Sequence, residues 1–392
     1  MPESRTSSAE ILRATIVAAR EGPLPPVTTA SRGSADSPEP ATGAGGIGGE
    51  AAPARVVGPY LAGALADERW SQCTVELIAG GMSNLTYVVS SAAGDVVLRR
   101  PPTSSVLPTA HDMAREHRVL SGLAGTAVPV PRTPALCGDP AVLGAPFYVM
   151  EKVDGVIVSK GLPPGFADTA EDRTALAWGL VDVLADLHAV DPVAVGLGDF
   201  GRPGGFLERQ VRRWTRQWEA SRDQDRPLLD GLAAELTASV PDSPSGPIVH
   251  GDYRLDNCLL DPDEPGRIRA VLDWEMSTLG DPLADVGLLL VYWQQHDDAV
   301  PRPTVTPPIT GLPGFPSRRA VAARYAERSG RDISALPWYV AFGFFKLAVI
   351  VTGIVARVRA GAMAGKGDAK VASLVDPLAA LGRAALADRD IA

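Results

Sequence analysis

Apolar positions change character along the chain near Val57. Upstream, Glu21 to Arg55 is dominated by Gly, Pro, Ala, Ser and Thr without a sustained period, a composition that cannot bury enough apolar surface to offset chain entropy. Residues 1–56 are therefore expected to form a disordered extension, apart from a short helix that Ser7–Arg20 can make. From Val57 the pattern becomes regular. Pro59–Asp67 reads as helix, Thr74–Ala79 and Leu85–Ser90 as strands around the turn Gly80-Gly81-Met82-Ser83-Asn84, and Asp95–Arg100 as a further strand. Ala110–Leu123 sets Met113, Val119, Leu120 and Leu123 at helical spacing, and Ala145–Val153 reads as a strand running into a hinge. Helical patterns dominate the rest. Thr169–Val190 repeats Leu176, Leu180, Val183, Leu184 and Leu187, and Phe206–Ala220 carries Trp214 and Trp218 on one face. Pro282–Trp293, residues 317–329 and Trp338–Ala356 continue in the same way. Strands followed by helices indicate an α+β chain.

Composition narrows the classes. A length of 392 residues sustains two lobes with substantial cores. Hydrophobic residues at 45% and charged residues at 21% describe an ordinary globular protein. A formal charge of −9, a pI near 5.2 and no basic patch argue against nucleic acid as partner. Cys73, Cys137 and Cys258 are widely spaced and form no ligand pattern, so a reducing cytoplasm is expected. Trp338–Ala356 is the most apolar run, yet Lys346, Gly343 and Gly353 within it favour a buried helix over a membrane span. Gly43–Gly48 satisfies GxGxxG literally, but no strand precedes it and no amphipathic helix follows. Glu3, Glu10 and Arg13 interrupt any apolar core of a secretory signal.

The chemistry concentrates in IVHGDYRLDNCLLD, from Ile248 to Asp261, and AVLDWEMSTLGDPLADVG, from Ala270 to Gly287. Two short apolar runs each deliver a polar cluster at their end, the usual way a scaffold presents reactive groups. Asp252 is a carboxylate able to accept a hydroxyl proton, Asn257 offers a neutral amide oxygen, and Asp273 offers a hard carboxylate ligand. Asp followed five residues later by Asn, with His250 two residues before the Asp and a second Asp after a hairpin, is the catalytic-loop and metal-loop order of kinases.

On these motifs the chain resembles the aminoglycoside phosphotransferase-like family (which includes the choline kinase-like proteins) from about Val57 onward, and within it the branch found beside or fused to acyl-CoA dehydrogenases. The resemblance implies a protein kinase-like two-lobed fold, with an N-terminal nucleotide-binding lobe and hinge over 57–153 and a mostly helical catalytic and substrate-binding lobe over 154–392. It implies ATP and magnesium as cofactors, with Asp252 as catalytic base and Asn257 and Asp273 as metal ligands. Gly80, Gly81, Ser83 and Asn84 would then cover the ATP phosphates, consistent with a glycine turn that lets backbone N–H groups approach an anion. Arg99 stands where a kinase carries lysine, since no lysine precedes Lys152, and Glu116 is its expected ion-pair partner. Met150, Glu151 and Val153 would present backbone to adenine. Arg254, two residues after Asp252, is placed near the transferred phosphate. His188 is expected to pack and hydrogen-bond, Asp281 to cap the helix starting at Pro282, and Asp285 to tie the catalytic segment. Glu275 is read as solvated or structural, with a second metal as the other option, and Val300–Ser317 as a substrate lid or specificity surface.

The expected activity is transfer of a γ-phosphoryl group to the hydroxyl of a small molecule, either a hydroxyacyl-CoA or an aminoglycoside-like alcohol. Functional association with an acyl-CoA dehydrogenase follows from the same resemblance. Two other readings stay open: a nucleotide-binding pseudokinase, favoured by Arg99 in place of lysine, and a metal-dependent hydrolase using His250, Asp252 and Asp273.

Overall fold

The computed structural model describes residues 52–79, 84–101, 112–222, 224–243, 246–298, 302, 307–359 and 371–387. Helix α1 (Ala54–Leu65) leads into an antiparallel sheet of β1 (Cys73–Ala79), β2 (Leu85–Ser91), β3 (Gly94–Arg100), β4 (Ala135–Cys137) and β5 (Phe147–Glu151), in the order β1-β2-β3-β5-β4. Helix α2 (Met113–Leu123) packs on β5, and α3 (Pro140–Leu143) is a single turn between β4 and β5. The two-lobed α+β architecture expected from the sequence is present.

The period of the strands decides what each face does. Leu85, Tyr87 and Val89 of β2, Val96 and Leu98 of β3, and Phe147 and Val149 of β5 share one core with Val57 and Leu61 of α1. Residues one step out of phase, Val97, Tyr148 and Met150, join the core that continues into the larger lobe. Arg99 follows the parity of Val97, and the register sets it opposite Tyr148. This places Arg99 on the face toward the second lobe.

Helix α1 differs from the expected start at Pro59. It begins at Ala54 and runs through Pro59, so residues 54–56 of the expected extension are helical, while residues 1–51 lie outside the described residues. Pro59 has no N–H to donate within the helix. Packing overrides that loss: Val57 and Leu61 are fully buried against the sheet.

In the larger lobe, β6 (Val156–Ile157), β8 (Cys258–Leu260) and β9 (Ile268–Val271) form one small sheet, and β7 (Ile248–Val249) pairs with β10 (Thr278–Leu279). The helices are α4 (Ala170–Ala189), α5 (Phe206–Ser221), α6 (Pro227–Ala238), α7 (Leu283–Tyr292), α8 (Arg318–Ser329), α9 (Leu336–Arg359) and α10 (Val375–Ala387). Thr169 and Asp172 close a capping box on α4, and Ser317 caps α8. Helix α9 is long and apolar enough to cross a membrane, but 89% of its most apolar window is buried, against α5, α6, α7 and α10. At the crossing with α7, a Cβ on Gly287 would stand 2.7 Å from backbone of Tyr339, so only glycine admits this approach.

Candidate active site

The site is built where β7, β8, β9 and β10 end. His250 and Gly251 follow β7, and both amides donate to the buried Asp285 of α7, at 2.7 and 2.8 Å. His188 of α4 approaches the same carboxylate at 3.2 Å, and its other ring nitrogen meets the Tyr325 hydroxyl at 2.8 Å. Burial alone would push Asp285 up, but the hydrogen bond and charge of His188, with the His250 amide, hold it below the usual carboxylate range. The expected tying role of Asp285 thus has a concrete form: it fixes the turn that aims Asp252. Gly251 has φ +84°, and a Cβ there would fall 2.6 Å from the Met276 carbonyl. Asp281 accepts from the Leu283 amide at 2.9 Å, the expected cap, and its other oxygen receives the Tyr339 hydroxyl at 2.6 Å.

His250 joins the two loops. Its Nε2 donates to the Leu272 carbonyl at 2.9 Å and its Nδ1 accepts the Asp252 amide at 3.2 Å, a tautomer assigned from these partners. The Leu272 amide in turn donates to the Asn257 carbonyl at 2.8 Å. With both ring nitrogens engaged and the residue fully buried, His250 is not available as a metal ligand, which corrects the hydrolase reading. Among the described residues no group of three or more His, Cys, Asp or Glu is placed to hold a metal.

Asp252, Asn257 and Arg254 are buried together. Asn257 Nδ2 donates to the Asp252 carbonyl at 2.9 Å and to its Oδ2 at 3.2 Å. With Nδ2 so committed, the amide oxygen is the end of Asn257 that remains for a cation, and Asp273 supplies a carboxylate. These hard oxygen donors suit magnesium, which takes few protein ligands and shares the rest with phosphates and water. Arg254 is no surface residue: its Nε lies 3.5 Å from Asp252 Oδ2 and 3.1 Å from Asp256 Oδ1, with the guanidinium 5.1 Å from the Tyr292 ring centre. Burial works against its charge, but Asp252 and Asp256 more than offset this and raise its pKa.

From the smaller lobe, Arg99 reaches across. Its Nε lies 3.3 Å from Glu116 Oε2, the expected ion pair, although this N–H makes no hydrogen bond. Its terminal nitrogen donates to Asp273 Oδ1 at 2.7 Å and stands 3.6 Å from Glu275 Oε2. Glu116 also accepts from Asn84 at 2.9 Å and from the Tyr148 hydroxyl at 3.0 Å. Burial pushes Glu116 up, with Arg99 pulling it back.

Asn84 is therefore a partner of Glu116, and Gly80, Gly81 and Ser83 lie outside the described residues. At the hinge, Met150 packs into the core, while Glu151 donates its amide to the Arg132 carbonyl at 2.7 Å and pairs its carboxylate with Arg132 at 3.0 Å. The Glu151 N–H is thus already committed; Val153 follows, half-buried. The sequence reading missed Tyr148, whose signal was its strand parity with Met150, Asp256, whose signal was its place two residues after Arg254, and Tyr292, which meets Arg254 only in the fold. Glu275 is buried rather than solvated, held by its contacts to Arg99 and Asn84.

Beside Arg254 opens a cleft of about 440 Å³ including its mouth, walled by Val158, Leu255, Leu289, Tyr292, Trp293 and Ile309. Pro307, Ile309 and Thr310 contribute to it from the segment expected to be a specificity surface.

The model of the family described as "Phosphotransferase enzyme family" matches residues 74–307. The chain belongs to this family. It is 35% identical over 328 residues to acyl-CoA dehydrogenase family member 11 of Rattus norvegicus, covering 82% of this chain and 41% of that protein. Family member 10 of Mus musculus is 36% identical over 300 residues, or 76% of this chain and 28% of that one. The chain thus spans less than half the length of these curated relatives. A crystal structure from Ralstonia eutropha JMP134, described as a candidate aminoglycoside phosphotransferase, is 34% identical with a TM-score of 0.69, covering 80% of this chain and 92% of that one. A ternary complex of the aminoglycoside phosphotransferase APH(4)-Ia with ADP and hygromycin B shares the fold at 15% identity and a TM-score of 0.55, over 85% of this chain and 99% of that one.

Proposed function

We propose that this phosphotransferase is an ATP-dependent small-molecule kinase that moves the γ-phosphoryl group to an acceptor hydroxyl. The observation that carries the reading is the clamp on Leu272, bonded through its carbonyl by His250 and through its amide by Asn257. It fixes the Asp252–Asn257 loop against the Asp273 loop, on which Arg99 of the other lobe rests. In-line phosphoryl transfer demands alignment and charge neutralisation more than covalent help.

Asp252, oriented by Asn257 Nδ2, aligns the acceptor hydroxyl and takes its proton. Asn257 and Asp273 would hold magnesium, which when bound neutralises phosphate oxygens. Arg254 places a permanent charge beside Asp252, suited to the oxygens of the group in flight. Arg99 grips phosphate from the smaller lobe.

For the acceptor, the walls of the cleft beside Arg254 favour a compound with an apolar segment. Among the described residues Asp256 is the one carboxylate lining it, too little acid for a polycation. Together with the names of the curated relatives, this supports a hydroxylated acyl compound such as a hydroxyacyl-CoA over an aminoglycoside, in functional association with an acyl-CoA dehydrogenase.

Calorimetric titration of ATP with and without magnesium, on wild type and Asp273→Ala, tests the nucleotide site. Magnesium-dependent binding that the substitution weakens is expected; no binding by wild type rejects the kinase. Asp252→Ala should lower transfer by about a hundred- to ten-thousandfold while Mg-ATP still binds, and near-normal transfer would remove Asp252 from the mechanism.

A further inference from the structure

Arg99 and the cation share one carboxylate. The guanidinium donates to Asp273 Oδ1 at 2.7 Å, and Asp273 is one of the two residues suited to hold magnesium. The contact crosses between lobes, and Arg99 is well shielded at 11% exposure. A guanidinium and a divalent cation on the same carboxylate repel each other strongly where water is scarce.

Arg99 also has somewhere else to go. A phosphate group offers it a bidentate, charge-assisted site stronger than its single bond to Asp273. Glu116, 3.3 Å from its Nε, keeps the side chain anchored on the smaller lobe while its outer nitrogens change partner. Glu116 and Glu275 also face this guanidinium, so it keeps carboxylate partners when it leaves Asp273, and that departure frees the Asp273 carboxylate for a cation.

We propose that Arg99 is a gate on the cation site: it occupies Asp273 until phosphate draws it away, so that cation and nucleotide enter together rather than singly. Naming the nucleotide rests on the kinase reading, but the gate is testable with a cation alone. By linkage, whatever releases Arg99 from Asp273 strengthens the cation, and whatever removes Asp273 frees Arg99 for phosphate.

Manganese(II), read by its electron paramagnetic resonance signal without nucleotide, is the probe. Arg99→Met should bind it about tenfold more tightly than wild type. Arg254→Met, which removes equal charge that Asp273 feels through space but no hydrogen bond to it, should gain less. Equal affinity in Arg99→Met and wild type, or equal gains in the two variants, overturns the gate. The reciprocal arm uses Asp273→Asn, which keeps the size of a side chain that is 27% exposed and removes its charge, and titrates ATP in EDTA. Metal-free ATP should bind about tenfold more tightly than to wild type, and more tightly than to Asp256→Asn, which removes a charge without touching Arg99. No gain over Asp256→Asn also overturns the gate. Failure of Mg-ATP to bind wild type at all would instead reject the kinase reading, leaving the manganese result to decide the Arg99–Asp273 competition.

Discussion

Asp252 and Arg254 sit two residues apart on one loop and are held by different means. Asp252 is oriented by Asn257, whereas Arg254 is lodged between Asp252 and Asp256 and over Tyr292. An arginine with both partners on the acceptor side contributes little to nucleotide affinity. Arg254→Ala is accordingly expected to lower kcat by about a hundredfold or more, with the dissociation constant for Mg-ATP changed by less than about threefold. Steady-state kinetics beside direct nucleotide binding checks it, and a proportionate loss in both would assign Arg254 to ground-state binding. Asp273 carries its own local cost: φ 66° and ψ 59° put it in the left-handed region, which aspartate tolerates better than most residues. The turn directs its carboxylate at Arg99 rather than along the strand.

At the scale of elements, α7 and α4 matter for what they hold. Asp285 of α7 binds two loop amides and His188 of α4, so breaking it loosens the loop carrying Asp252. Its folded pKa lies below the unfolded value of about 3.9. The charged carboxylate therefore adds stability in full above about pH 4, and this is lost as pH falls through the folded value. Asp285→Asn should cost about 3–5 kcal/mol at neutral pH, and the gap from wild type should close in acid; urea unfolding at both pH values measures it, and a gap independent of pH would mean the ion is not the stabiliser. Much of this frame was legible in the sequence, because strands around Gly80–Asn84 and helices with four-residue apolar spacing declare themselves locally. Glu116 shared the helical stripe of Met113, Leu120 and Leu123, so its burial was written there too. The short β6 and the helices α6 and α10 were not legible; β6 has two residues and exists only through pairing with β8. Nor did any local signal join Arg99 to Asp273, which lie 174 positions apart and meet only when the lobes do.

For the whole molecule, the chain carries −9 formal charges, and its inter-lobe cleft repeats that imbalance, with Glu116, Asp252, Asp256, Asp273 and Glu275 against Arg99 and Arg254. On the proposed function, a polyanionic nucleotide approaching such a cleft needs accompanying cations, while the acceptor would meet an apolar wall on the larger lobe. The two substrates should therefore be separable by substitution. Ile309 lines the cleft beside Arg254 from the apolar wall that Leu289, Tyr292 and Trp293 also form. Truncating it removes part of a hydrophobic wall, an effect that falls on binding of an apolar chain rather than on the chemical step. Ile309→Ala should raise KM for a hydroxyacyl-CoA acceptor by about tenfold, with kcat and KM for ATP nearly unchanged. A polycationic aminoglycoside, which gains little from that wall, should be indifferent to the change. If Ile309→Ala altered KM for ATP and not for the acyl acceptor, the cleft would belong to the nucleotide, and the assignment of the acceptor to the larger lobe would fail.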